Sequence, residues 1–424
     1  KVDGVVKKVT DDEVLVKSGN RVISHSLFNN FPFNRKTYIH NTPVVKVGDT
    51  VKKGSLLATS NFSTKDGALS LGVNLNAIFV PDKGWNFEDG ITISESAAKN
   101  KLASEHMYSY EYQASDDDGQ IVNKQKFLTM FPQTLKKEIL DKYDDDGVIK
   151  VGQVVKSEEP LILAMEKRPP SSRDIQLGNL HKILRNQFRN ATVDWSHHND
   201  GVVTDVIKNG KEFKVLVKTI SPANVGDKLT GRFGNKGVIS RIVPDEQMPL
   251  IKSTNERVEI VMNPIGIPSR INPGQVHELI LSKVTAKTGK KYILPSFDPK
   301  IKKMTKFVIK EAKNANVPLE ETVIYEGRAV PNVMVGKSYI WKLSKMSEGE
   351  LKKRALGGYD VDEQPIKGKS ETGQALRIGL MEINSLVSHG AKNILRDVTA
   401  VAGQKNPEFW RALKLGYPLP SPQT

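Results

Sequence analysis

Cysteine is absent from the 424 residues, which excludes disulfides, Cys-ligated zinc, iron–sulfur clusters and thiol catalysis together. No stretch approaches the roughly 18 apolar residues that a membrane-spanning helix needs, and no basic-then-apolar segment opens the sequence. Nothing membranous is expected as a partner. Aromatic residues are only 7%, yet hydrophobic residues reach 38% and charged ones 26%, the balance of a globular chain with a real core. Acidic residues are the scarcer charge: 48 Asp and Glu stand against 63 Lys and Arg, a net charge of +15. Such a surplus suits a polyanionic partner, most simply nucleic acid. The length suggests two to four domains, and the first residue is Lys1 rather than Met, as in a fragment or a processed chain.

Short apolar runs dominate the first 80 residues. Val14–Val16 and Val22–Ile23 flank a turn at Ser18–Asn20, and Leu69, Leu71, Val73 and Leu75 alternate as a half-buried strand would. VKVGDTVKKGSLLA (45–58) predicts short strands around two glycine turns. Leu135, Ile139 and Leu140 have helical spacing, between the DDDG clusters that end at Gly119 and Gly147. Pro169–Ser172 reads as a linker, followed by a helix with Leu180, Ile183, Leu184 and Phe188 on one face and His181, Lys182, Arg185 and Arg189 on the other. A hairpin sets Val203, Asp205 and Ile207 against Phe213, Val215 and Val217 around Asn209-Gly210. Helices are predicted from Val276, Leu279, Ile280 and Val284, from Ile301, Met304, Val308 and Ala312 with six lysines around them, and from Leu376, Leu380, Ile383 and Val387. Asn406-Pro407 marks one more helix start. The mixture predicts an α+β, multi-domain chain built on small barrels rather than a doubly wound sheet.

Three segments carry candidate chemistry. GDKLTGRFGNKG (226–237) packs four glycines among Lys228, Arg232, Asn235 and Lys236, a composition that lets backbone and cations approach a phosphate. It is not a P-loop, because Arg232-Phe233 stand where Lys and Ser/Thr belong and a strand follows. A plain hairpin with solvated lysines explains it equally well. GWNFEDGITISE (84–95) places Glu88 and Asp89 side by side before a strand. Neighbours on an extended chain point to opposite faces, so joint work needs a turn, and a solvated acidic loop is the simpler reading. NPIGIPSRINPGQ (263–275) holds Arg270 in a rigid Pro/Gly loop, suited either to presenting a guanidinium to phosphate or to starting the next helix. The DDDG clusters lack calcium-loop spacing, and His197-His198 has no third zinc ligand at recognised spacing.

These three segments, followed by QPIKGK…RIGLMEI (364–383), resemble in sequence and order the second half of the β subunit of bacterial-type multisubunit RNA polymerase, with weaker likeness from VDGVV at Val2 to HGAKNIL at 389–395. The resemblance implies a double-psi β-barrel with barrel-sandwich-like wall and flap elements and a helical C-terminal part. It implies wall and first barrel part over 1–120, a shortened flap-like excursion within 121–225, the second barrel part and hybrid-binding region over 226–360, and a clamp-contacting region over 361–424. Lys228 and Lys236 match the family's two barrel lysines at the RNA end, and Arg270 matches an arginine facing nucleotide phosphates. Arg232 and Asn235 lie in the same nucleotide-binding motif, and Glu88 and Asp89 match an acidic pair near a second magnesium. The catalytic Mg2+ belongs to the β′ partner. Further partners implied are a β N-terminal-half subunit, an initiation or promoter-specificity factor, DNA template, RNA and nucleoside triphosphates (NTPs). Phe233 and Lys345 replace family histidines, Lys367 replaces a glycine, and the 168–200 excursion is short. These departures resemble the split polymerases of very large bacteriophages, which implies the cytoplasm of an infected bacterial cell, or the virion. The alternative is a non-catalytic basic nucleic-acid scaffold, since 45–58 is similar to barrel-sandwich carrier domains but lacks their Met-Lys hairpin.

Overall fold

A computed structural model of the chain describes residues 3–115, 119–135, 137–167, 188–294, 301, 303–350, 366, 376–402 and 407–418. The chain divides into two compact units, Lys1–Ser347 and Glu348–Thr424.

Six strands of the larger unit close into a barrel: β1 (Val73–Phe79), β2 (Gly90–Ser94), β3 (Lys228–Gly231), β4 (Lys236–Val243), β5 (Ile260–Met262) and β6 (Val335–Lys342). Around the ring the order is β2-β4-β3-β6-β1-β5, with β2/β4 and β1/β5 parallel and the other four pairs antiparallel. The remaining described strands form open sheets. Alternation along β1 sends Leu75, Ala77 and Phe79 into the barrel with Ile93, Leu229, Ile239, Ile260 and Ile340. Its other face, Ile78 and Val80, is buried too, under Val323 and Val333 of a flanking sheet made by Leu250–Ile251, Glu321–Tyr325 and Arg328–Val333. Burial on both faces explains why the strand ends in AIF and runs on into Val80, a continuous apolar run with no polar alternation. The strand begins at Val73. Leu69 and Leu71, predicted as part of it, lie outside and are exposed, because the chain turns at Gly72 where the next strand's backbone leaves no room for a side chain.

Between β2 and β3 the chain inserts a module with its own core. Ser104–Gln113, Glu212–Ser221, Gly201–Asn209 and Val154–Val155 form one antiparallel sheet, packed around the fully buried Trp195, Tyr143 and Leu161. The predicted hairpin is present, with Val203 opposite Val217 and Gly210 in the left-handed region at the turn. Ile139 and Leu140 lie in a short 3-10 turn, Lys137–Lys142, rather than in an α-helix, and Leu135 lies outside it. Most of the predicted excursion helix, including Leu180, Ile183 and Leu184, lies outside the described residues, as do the first DDDG acids and Lys367. Phe188 and Arg189 are not helical: Phe188–Asn190 is a strand pairing with Ala164–Lys167, and Arg189 bonds Glu166 across it. The helical period misled at Phe188 because pairing with Lys167 of another strand decides its conformation. His197 stacks on Tyr108 and Trp195, an aromatic packing role.

Ahead of the barrel, Glu13–Ser18 and Arg21–Ser26 make the expected hairpin in a four-stranded sheet over Val6, Val14, Val16 and Val51. After β5 come two helices, α1 (Gly274–Thr288) and α2 (Met304–Asn314), close to the predicted spans. Gly289 caps α1 in the left-handed conformation, its N–H donating to Thr285 O at 2.8 Å. The helices share a core of Ile280, Leu281, Val284, Val308 and Ala312. In the smaller unit, helices span Leu380–Ser388, Lys392–Arg396 and Pro407–Leu415, with Pro407 at the first helical position as predicted. Leu376 precedes the first of these instead of belonging to it, because the chain is extended at Gly379, whose N–H donates to Glu382 Oε2 at 2.9 Å.

Helix α1 lies directly on β6. A Cβ on Gly336 would sit 2.3 Å from the Leu279 carbonyl oxygen, so the contact is backbone on backbone. Gly336→Ala should therefore push α1 off the barrel and cost about 1–3 kcal/mol, the usual penalty of overpacking. Urea unfolding of the variant measures this, and an unchanged midpoint would show that α1 shifts freely.

Candidate nucleotide-binding cleft

The three candidate segments meet at one mouth of the barrel. GDKLTGRFGNKG is strand β3, a tight turn and strand β4, so the glycines build a hairpin rather than a free phosphate loop. Gly234 takes φ +78° at the turn, and Gly231 is needed because a Cβ there would meet the Asn235 side chain at 2.4 Å. Asn235 works mainly on the turn itself: its carbonyl accepts from Gly231 N–H at 2.8 Å and from Thr230 Oγ1 at 3.1 Å. Alternation puts Leu229 and Ile239 inside the barrel and Lys228, Thr230, Lys236 and Val238 on the outer face.

Glu88 and Asp89 occupy the loop between β1 and β2. Glu88 has φ +51°, a left-handed turn that costs a non-glycine residue of order 1 kcal/mol. That turn is what defeats the divergence expected of neighbours on an extended chain, and both carboxylates line the same cleft. The Asp89 carbonyl accepts from Val238 N–H at 2.9 Å, and a Cβ on Gly237 would meet that carbonyl at 2.4 Å. The acidic loop is thereby clamped to the base of the lysine hairpin. Arg270 ends the helical turn Gly266–Ser269 and reaches across to Asp89, Nη2 lying 2.6 Å from Oδ1 and 2.8 Å from Oδ2. Both side chains are nearly half exposed, so this pair is worth at most about 1 kcal/mol and exchanges readily for another anion.

One cleft is thus lined by Glu88, Asp89, Thr230, Asn235, Lys236 and Arg270, with Met262, Gln275 and Ile340 at its floor. Lys228 is not among the lining residues; it sits two positions along β3 from Thr230 on the same face, half-buried, its backbone bonded to Lys345 and Leu343. Arg232 turns away from the cleft. Its guanidinium pairs with Glu278 of α1, Nε donating at 3.0 Å, and lies 5.2 Å from the centre of the Tyr339 ring. Phe233 packs on Gly274, where a Cβ would come within 2.5 Å of the ring, and Asn272 Nδ2 donates to the Phe233 carbonyl at 2.7 Å. The loop carrying Arg270 is therefore fastened to the hairpin tip.

Two buried carboxylates that sequence reasoning passed over hold these loops. Glu278 accepts from Arg232, from Ser338 Oγ at 3.1 Å and from Tyr339 N–H at 3.2 Å, joining hairpin, helix and β6. Its placement was readable: three residues from both Gln275 and Leu281, it falls on the buried face of α1. Asp82 is fully buried and accepts from Thr92 Oγ1 at 2.6 Å, from Arg241 Nη2 at 3.2 Å and from the Tyr325 hydroxyl. Burial and that bond push the Tyr325 hydroxyl well above the usual phenol range. Asn86 closes the loop by accepting from Asp82 N–H at 2.9 Å and donating to Val80 O at 2.7 Å. No periodicity announces Asp82. Among the described residues no group of three or more His, Asp or Glu is placed to hold a metal ion, and no helix is long and apolar enough to cross a membrane.

Residues 1–371 match the family model described as RNA polymerase Rpb2, domain 6. The chain belongs to this RNA polymerase family. It is 32% identical to the DNA-directed RNA polymerase subunit beta of Mycoplasmopsis synoviae, an alignment covering 93% of this chain and 34% of that protein. Identity is 30% to the corresponding subunit of Kosmotoga olearia, over 99% of this chain and 39% of that protein. It is 32% to that of Caldicellulosiruptor bescii, over 100% and 36%. The chain thus spans between a third and two-fifths of the length of these curated relatives.

Removing Asp82 strands Arg241 and Tyr325 without their acceptor. Asp82→Ala should cost about 3–5 kcal/mol, as breaking a buried ion pair does, whereas Lys83→Ala beside it, with an exposed partner in Glu326, should cost at most about 1 kcal/mol. Equal denaturation midpoints for the two variants would refute the role given to Asp82.

Proposed function

We propose that this chain is a C-terminal portion of the β subunit of a multisubunit DNA-directed RNA polymerase, active as a nucleotidyltransferase only within the assembled enzyme. The observation that carries the reading is the convergence of Lys236, Arg270, Glu88 and Asp89, encoded in three distant segments, on one barrel cleft. The two parallel pairs within an otherwise antiparallel six-strand ring support identifying the barrel as the double-psi barrel of that family.

Phosphoryl transfer asks a protein for positioned cations where charge develops and for metal-bridged phosphates. Lys236 supplies a mobile point charge, and Arg270 a planar fork for phosphate oxygens. The exposed Asp89–Arg270 pair keeps that fork extended across the cleft, and a triphosphate can take over the guanidinium at little cost. Lys228, next along the same strand face, serves the RNA end, while Arg232 and Asn235 shape the hairpin that presents both lysines. Mg2+ binds characteristically through one or two carboxylates plus phosphates and water, so Glu88 and Asp89 fit a weakly held ion shared with substrate and not a closed protein cage. Such an ion supplies charge neutralisation at the phosphates. The tightly held catalytic Mg2+ belongs on a β′ partner. The further partners of this reading are the N-terminal part of β, an initiation factor, template DNA, RNA and NTPs. A split bacteriophage enzyme, acting in the infected cell's cytoplasm or carried in the virion, is the origin we favour on Phe233, Lys345 and the short 168–200 excursion alone.

Lys236→Ala should slow single-turnover primer extension by the assembled enzyme on the order of 30- to 1000-fold, equivalent to about 2–4 kcal/mol, without loss of assembly. Lys228→Ala should also slow it strongly. Extension within twofold of wild type by both variants would leave the lysines as solvated surface. Template-dependent synthesis by the isolated chain would also overturn the reading. The Glu88→Ala/Asp89→Ala variant should need more magnesium for half-maximal rate, and a titration overlaying wild type would remove these carboxylates from metal binding.

A further inference from the structure

The hairpin of α1 and α2 is rich in lysine, and its lysines fall into two classes. Those on the side of α1 are consumed within the fold: Lys283 pairs with Glu321 at 3.0 Å, Lys287 bonds Asn316 O at 2.8 Å, and Lys290 pairs with Glu311 at 3.1 Å. Lys303, Lys306, Lys310 and Lys313 are all exposed, and none pairs with an acid among the described residues. Lys306, Lys310 and Lys313, spaced four and three residues apart, share one face along about 10 Å of helix axis, and Lys303 is the extended N-cap residue just before it. Val308 and Ala312 anchor the opposite face in the core. The only acid of the helix, Glu311, is already held by Lys290 and Tyr292. Three like charges on one face of a short helix, with a fourth at its N-cap, repel one another, and the attraction of Glu311 for Lys310 offsets this only in part.

We infer that this lysine face is a docking surface for the phosphate backbone of duplex DNA, separate from the barrel cleft. Charge complementarity selects the occupant. A duplex presents one negative charge per roughly 1.7 Å of axis, dense enough to engage several lysines of a row about 10 Å long at once. The face offers no aromatic platform for the bases of a single strand, since Phe307 and Tyr292 pack edge-on against each other in the helix core. It offers no apolar anchor either, the feature on which a protein partner's affinity concentrates. Lysines without forked arginines give contacts that position the backbone and read no sequence. The inference shares with the proposed function only the premise that the chain works on DNA; primer extension by Lys236 variants tests that function independently of this face.

The test uses the full chain and a labelled random-sequence 30-base-pair DNA duplex, with binding measured across KCl concentrations. Replacing Lys306, Lys310 and Lys313 by Gln should lower the slope of log affinity against log salt by about 2–3, near 0.9 for each phosphate no longer neutralised. The single Lys310→Gln should lower it by about one. Lys306, Lys310 and Lys313 replaced by Arg should keep the slope, which guards against misreading a folding defect. A control with Lys46, Lys52 and Lys53 replaced by Gln, exposed residues beside another sheet, should leave the slope unchanged. An equal fall in the control reduces the effect to net charge and overturns the inference. So does a wild-type chain with no salt-dependent binding, or polyglutamate of matched charge competing as well as the duplex, which would indicate an acidic protein partner.

Discussion

The pairing of β1 on both edges and its burial on both faces is the constraint on which the larger unit rests. Its edges are taken by β5 and β6, which arrive from the far end of the unit, and its faces by the barrel interior and by the flanking sheet. These two partners satisfy its backbone groups, and a buried unpaired N–H or C=O is costly. Every functional loop then inherits its position from the ring. The acidic loop is the link from β1 to β2, the lysine hairpin is the link from β3 to β4, and the arginine loop leaves β5 toward α1. Because β2 and β4 are neighbours and β5 borders β2, the three links open on the same mouth.

The electrostatics divide along the same lines. Carboxylates that position the loops, Asp82, Glu278 and Asp227, are buried and saturated with donors; Asp227 alone accepts from Asn224 N–H, Ser347 N–H and Lys342. Carboxylates in the cleft stay partly in water and hold at most one weak ion pair. Low-dielectric burial makes the first group rigid and expensive to disturb, while solvent screening leaves the second free to change partners. A cleft with the proposed task of binding and releasing a polyanion would use both kinds.

Much of this was legible in the residues. The Gly19 and Asn209-Gly210 hairpins, the helices at 276–287 and 304–312, and the Pro407 start follow from turn chemistry and periodicity acting over a few residues. Leu69 and Leu71 misled because alternation persists in sequence past Gly72, where the chain leaves the sheet. Phe188 misled because its conformation is decided by a distant neighbour, Lys167. Candidate site residues were found through composition, glycines and prolines beside charge, and this locates loops well. It could not say that Arg232 faces Glu278 while Arg270 faces Asp89, since both statements concern elements more than 40 residues apart. Nor could it reveal that Glu88 adopts a left-handed turn, a conformation that glutamate does not prefer.

The bond from Gly72 N–H to the Tyr339 hydroxyl spans 267 residues, and the β1/β6 ladder runs beside it. At a ribosome adding roughly 5–20 residues per second, β1 emerges about 13–50 s before its second edge partner exists. For that interval an apolar strand waits with at least one edge unpaired while the inserted module, with its local antiparallel sheet and its own Trp195 core, already has what it needs to fold. The order of synthesis therefore separates a self-sufficient part from a part exposed to mispairing, and the nascent chain is where a holding chaperone would matter most.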